Sequence, residues 1–146
     1  MNSLPHARLA VAVVTMLAVA AFASDPPAGS KSAWEGVYTA EQAARGAQTL
    51  AEQCVMCHAE NLRGGPGAPG VVGAEFMFNW DGKTAGELFD YLRASMPPGQ
   101  IGVLSDAQYA DVLAAILQGN GFPAAGETAL PAEREALDKV LITEEP

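Results

Sequence analysis

Cysteine and histidine are nearly missing from this sequence: two of each occur among 146 residues. Two Cys are too few for a disulfide scaffold. Basic residues are also scarce, eight Lys plus Arg against seventeen Asp plus Glu, for a formal net charge of −9. No basic cluster exists, which argues against nucleic acid as a partner, because phosphate binding needs clustered cations. Most of the acidic residues read as a solvated surface. No run alternates apolar and polar residues in the manner of a strand, and no internal repeat is present.

Long apolar runs are limited to one. Leu9 to Phe22 is broken only by Thr15, follows a short polar stretch containing Arg8, and ends in Ala21-Phe22-Ala23. That small-x-small ending is what signal peptidase cuts after. The run is shorter than the roughly 20 residues needed to cross a bilayer, and no basic stop-transfer cluster follows. No Cys near the cleavage point offers a site for a lipid. Residues 1–23 are therefore expected to be a signal peptide cut after about Ala23, leaving no stable membrane anchor. The periplasm is the expected location. Cleavage removes Arg8 and His6, leaving a net charge near −10 and one His.

Residues 24–33 read as a flexible leader, and 34–146 as one domain. Capping-box pairs mark three helix starts, Thr39 with Gln42, Thr84 with Glu87 and Ser105 with Gln108. The first helix is expected to run to about Gln53, with Gly46 at its middle allowing another element to approach closely. The second runs to about Ser95, where Pro97-Pro98-Gly99 stops it. The third carries Tyr109, Val112, Leu113, Ile116 and Leu117 on one face and ends at Gly119-Asn120-Gly121. Residues 61–74 hold five Gly and two Pro and form a long loop. The acidic tail from Pro131 adds at most a short, loosely docked helix. Three principal helices joined by Gly/Pro loops make an all-α fold with a poor apolar core of its own. Such a chain makes sense folded around something large and apolar.

Cys54-Val55-Met56-Cys57-His58 supplies the reason. It is the pattern for covalent haem attachment. Two thiols on one helical turn can each form a thioether with a haem vinyl group, and the following His is held under the iron as its proximal ligand. A thioredoxin-type redox pair should follow a strand, whereas this motif ends a helix. Zinc needs four ligands and finds three. A disulfide across two residues would close a very small, strained loop. For the opposite face of the iron the candidates are Met56, Met77 and Met96. Met56 lies within the attachment turn, and Met77 between Phe76 and Phe78 reads as pocket wall. Met96, stiffened by Pro97-Pro98, is favoured. A His58/Met96 pair would raise the reduction potential and fill both axial sites, which suits electron transfer.

From about Trp34 to Ile142 the chain resembles class I c-type cytochromes, of the single-haem bacterial sort associated with periplasmic quinoprotein dehydrogenases. The resemblance rests on the Cys54–His58 motif, Pro69-x-Val71 and Met96-Pro97. It implies a cytochrome c fold, with the helices around one covalent haem c bound through Cys54 and Cys57. It further implies that Pro69 offers its carbonyl to His58, that Gly46 meets Tyr109 where the first and last helices cross, and that Trp80 lies near a haem propionate. Gly70-Val71-Val72 departs from relatives, which commonly carry a bulkier or Pro-Leu segment there. The function implied is electron transfer between a dehydrogenase donor and an oxidase or other cytochrome acceptor, with no catalytic residues. Two alternatives stand beside it: a five-coordinate haem enzyme or gas sensor, and a fixed haem subunit of a dehydrogenase complex.

Overall fold

Thr39 starts the first helix by accepting a hydrogen bond from the Gln42 backbone N–H at 3.2 Å, which satisfies one of the free donors at a helix N-terminus. This is seen in a computed structural model that describes residues 27–146; the expected signal peptide lies outside the described residues. The helix, α1, spans Ala40–Gln53 and is followed by the single turn α2, Val55–His58. Helix α3 is Ala74–Trp80, α4 is Ala85–Ser95 and α5 is Asp106–Gly119. Both α4 and α5 begin with complete capping boxes at Thr84/Glu87 and Ser105/Gln108. The fold is all-α, with α1, α4 and α5 its principal helices. Helix α3 is an addition to the sequence expectation. It is seven residues long and lacks a side-chain cap, so it offers no local start signal.

Thr39 and Gln42 do not complete a reciprocal box. Gln42 is buried and faces the C-terminal segment, where its Nε2 donates to the Leu130 carbonyl at 2.9 Å and its Oε1 accepts from the Leu130 N–H at 2.6 Å. A buried amide must find partners for both ends, and a passing extended backbone supplies them.

The centre of the fold is the crossing of α1 and α5. A Cβ placed on Gly46 would sit 1.8 Å from the Asp111 carbonyl oxygen and 2.9 Å from the Ala115 Cβ. Only hydrogen fits there, and the helices touch backbone to backbone. The atoms nearest Gly46 belong to Asp111 and Ala115, whereas Tyr109, the aromatic expected at this crossing, lies edge-on to Phe89 and hydrogen-bonds Met96.

The acidic tail is packed, not loosely docked. Its helix α6, Arg134–Leu137, buries Leu137 completely, and Ile142 beyond it is also wholly buried. Arg134 pairs with Asp138 at 2.6 Å and with Asp90 on α4. Lys31–Ser32 (β1) pairs in parallel with Val140–Leu141 (β2), Lys31 opposite Val140 and Ser32 opposite Leu141. Ala33, next in the chain, is fully buried. Residues 31–33, read from sequence as the end of a leader, are thus part of the packed unit. A two-residue strand formed between chain ends has no alternation for a sequence to display.

Candidate functional site

Helix α1 delivers the Cys pair. The Cys54 N–H still donates to the Leu50 carbonyl at 2.9 Å, and the N–H groups of Cys57 and His58 both return to the Cys54 carbonyl, at 3.2 and 3.0 Å. The pentapeptide is therefore wound into one tight turn. The two Cys are not joined to each other, and Cys54 is half-buried and Cys57 exposed. Burial, and then the neighbouring Cys57, push the Cys54 thiol above its ordinary range. His58 is buried, while Met56 projects into solvent, 95% exposed.

The loop after His58 turns back on itself. Ala59 and Leu62 both have positive φ, 65° and 57°. The Leu62 carbonyl accepts from the N–H groups of Val71 and Val72, at 2.8 and 3.2 Å, which closes the loop. At Gly64, with φ of 89°, an added Cβ would lie 2.6 Å from the Gly70 nitrogen; glycine is the residue that accepts both the angle and the approach. Asn120, at the end of α5, staples the returning strand by donating to the Val71 carbonyl at 3.1 Å and accepting from the Gly73 N–H at 2.8 Å. Glu75 adds a second tie, accepting from the Gly70 N–H at 2.7 Å.

This folding brings the Pro69 carbonyl to 2.7 Å from His58 Nδ1. A carbonyl oxygen only accepts, so Nδ1 carries the proton. The other ring nitrogen, Nε2, is then left with its lone pair free to ligate. The ring is fixed in orientation and in tautomer by the same bond.

Met96 is held from two sides. Its N–H donates to the Leu92 carbonyl at 2.9 Å, and its carbonyl accepts from the Tyr109 hydroxyl at 2.6 Å. Tyr109 is itself edge-on to Phe89, ring centres 6.5 Å apart. Tyr109 therefore anchors the Met96 backbone. No sequence signal distinguishes that role, because the hydroxyl reaches across thirteen residues.

His58 and Met96 both border two adjoining lobes of a hollow, about 450 and 310 Å³ in volume, each within the ~300–1,000 Å³ of a ligand site. His58, Pro69, Val71, Leu92, Met96 and Ile116 line both. One lobe runs to Cys54, Met56, Cys57, Pro97 and Pro98 and has no Asp, Glu, Lys or Arg in its wall. The other runs to Glu75, Asn79, Trp80, Lys83 and Tyr91. Trp80 is edge-on to Tyr91 at 5.5 Å, and the Lys83 Nζ lies 4.8 Å from the Trp80 ring centre. Met77 packs against the core and lines neither lobe. The donor set suits a large apolar macrocycle. Two thiols stand at one end, one imidazole nitrogen and one thioether border the middle, and polar groups gather at the far end.

A family model described as cytochrome c oxidase, cbb3-type, subunit III, matches residues 41–116. The match runs from the start of α1 to Ile116 in α5, and takes in the Cys54–His58 turn, Pro69, Trp80, Lys83 and Met96. No curated protein and no solved structure matches the chain.

Proposed function

The chain belongs to the cytochrome c oxidase, cbb3-type, subunit III family of c-type cytochrome domains, and on that premise we propose that it is an exported, periplasmic carrier of single electrons. The family's cofactor is one covalently bound haem c, and Cys54, Cys57 and His58 fit its attachment pattern. The observation that carries the reading is the pairing of two residues on one cavity. His58 is proton-fixed by Pro69 and Met96 is anchored by Tyr109, and both border each lobe.

In this reading Cys54 and Cys57 would hold the haem by thioethers, and His58 and Met96 would ligate its iron through nitrogen and sulfur. When bound, the haem supplies a one-electron ferrous/ferric couple. The chain's own part is to hold the ligands without rearrangement. Pro69 keeps the imidazole oriented, Tyr109 keeps the Met96 segment in place, and Leu88, Leu92, Val112 and Ile116 give the walls an apolar surface. With Met96 as well as His58 bound, the iron would have a raised potential and no open position for small ligands. Redox proteins are the partners, a dehydrogenase as donor and an oxidase or another cytochrome as acceptor.

The test is extraction. Acidified acetone should leave the haem on the purified holoprotein, and Cys54→Ala combined with Cys57→Ala should abolish the covalent haem. Free extraction from the unmutated protein would defeat the reading. The family's description also favours a second form of it, a haem subunit held within a membrane oxidase assembly. Among the described residues no helix is long and apolar enough to cross a membrane. Co-purification with a membrane complex at high salt would support the bound subunit over the free carrier.

A further inference from the structure

The two lobes of the cavity differ in charge as well as in position. The lobe at Cys54 and Cys57 has no ionic side chain in its wall. The lobe beyond His58 and Met96 contains Glu75 and Lys83, with Asn79, Trp80 and Tyr91. Haem has the same asymmetry. Its two vinyl groups lie on one edge of the ring and its two propionate carboxylates on the opposite edge. If the vinyl edge is tied to Cys54 and Cys57, the carboxylate edge must point into the second lobe. We propose that Lys83 is the cation that receives a haem propionate there, and that it thereby positions the haem and sets part of its potential. The proposal rests on the covalent haem reading.

Lys83 is suited to this by where the backbone puts it. It lies in the short connection between α3 and α4, and that connection is clamped by the C-terminal strand. The Lys83 carbonyl accepts from the Ile142 N–H at 2.9 Å, and the Gly82 N–H donates to the Ile142 carbonyl at 2.8 Å. The Lys83 N–H also donates to the Trp80 carbonyl at 3.1 Å. The side chain is laid over the Trp80 face, which limits its freedom at the rim of the cavity.

The other ionisable groups nearby do not compete for the role. Glu75, from α3, is of the wrong sign, and one of its oxygens is engaged by the Gly70 N–H. Asp81, two residues before Lys83, accepts from the Glu144 N–H. Tyr91, from α4, offers a neutral hydroxyl. Among the described residues lining either lobe, Lys83 has the only cationic side chain. Glu75 sharpens the need for it, because a haem carboxylate brought beside Glu75 without Lys83 would face a like charge with no cation to offset it.

The experiment is a potentiometric titration of the holoprotein across neutral pH, with Lys83→Gln, Lys83→Arg and Lys139→Gln. Lys139 is exposed, lines neither lobe, and its change alters net charge equally. Removing a positive charge near the iron favours the ferric form. Lys83→Gln should therefore lower the potential more than Lys139→Gln does. It should also make the potential fall with rising pH in the neutral range, because an unpaired carboxylate takes up its charge at higher pH than a paired one. Lys83→Arg should restore both. If Lys83→Gln matched Lys139→Gln in potential and in pH profile while the haem stayed covalently attached, the proposal would be overturned. A wild-type protein with no covalent haem would instead remove the haem reading itself.

Discussion

Single residues divide here by whether their partners are local. His58 takes its tautomer from Pro69, eleven positions on, and the ligand expected on the other side of the iron is Met96. Replacing Met96 by Ala should abolish the weak long-wavelength band of iron-bound Met sulfur in the ferric spectrum. It should also lower the potential and admit carbon monoxide or cyanide, whereas Met77→Ala should keep the band, since Met77 lines neither lobe. An unchanged spectrum in Met96→Ala would hand the role to another group or leave the site open. Tyr38 is a residue whose importance is not visible in sequence. It is wholly buried, donates to the Phe122 carbonyl at 2.5 Å, and burial pushes its phenol up to about 12. The unfolded phenol ionises near its ordinary value of about 10, and the folded one resists. Its contribution to stability is complete below pH 10 and is lost as pH rises from about 10 to about 12. Urea unfolding of the holoprotein should therefore show a decline over that interval that is shallower in Tyr38→Phe. The variant should also be weaker at neutral pH by roughly 1–3 kcal/mol, because the Phe122 carbonyl loses its partner. Equal slopes in the two proteins would place the ionisation elsewhere.

At the scale of elements, the decisive contact is α1 against α5. Alanine is a better helix former than glycine by about 1 kcal/mol, so Gly46→Ala would be stabilising in an isolated helix. In this fold the new Cβ would overlap the Asp111 carbonyl, a backbone atom with no rotamer to yield. The helices would have to part, at a cost of roughly 1–3 kcal/mol or more. Thermal unfolding followed by circular dichroism should show a lower midpoint for the Gly46→Ala holoprotein. A midpoint at or above wild type would mean that the crossing opens freely. The ion pair of Arg45 with Asp111, at 2.8 Å, lies at the same crossing. With Arg45 largely exposed, it adds little to stability beside the steric fit.

For the whole molecule, charge and shape point in different directions. The formal charge is −9, yet the lobe leading to Cys57 and Met56 is walled without an ionic residue. Charge should then act on a redox partner at a distance, through the rate of encounter, more than by close ion pairs at that mouth. Stopped-flow reduction by a basic donor should slow as ionic strength rises toward 0.1 M, where the screening length is about 10 Å. Above that it should level off. A rate that keeps falling steeply at higher salt would indicate close ion pairs, and a rate indifferent to salt throughout would assign the acidity to solubility alone.

The sequence by itself determines what depends on neighbours within about five positions. The Cys54–His58 turn and the starts of α1, α4 and α5 are legible because spacing and side-chain-to-backbone caps act locally. The stops at Gln53, Ser95 and Gly119 follow from the same short range. What only the tertiary structure decides are the closures between distant positions. Gln42 leaves its cap to clasp Leu130, Lys31 pairs beside Val140, Tyr109 turns from the helix crossing to Met96, and Ile142 fixes the connection that carries Lys83. Each satisfies a buried polar group or an unpaired backbone group. Many residues in the chain could supply such a partner, and only the packed fold selects one.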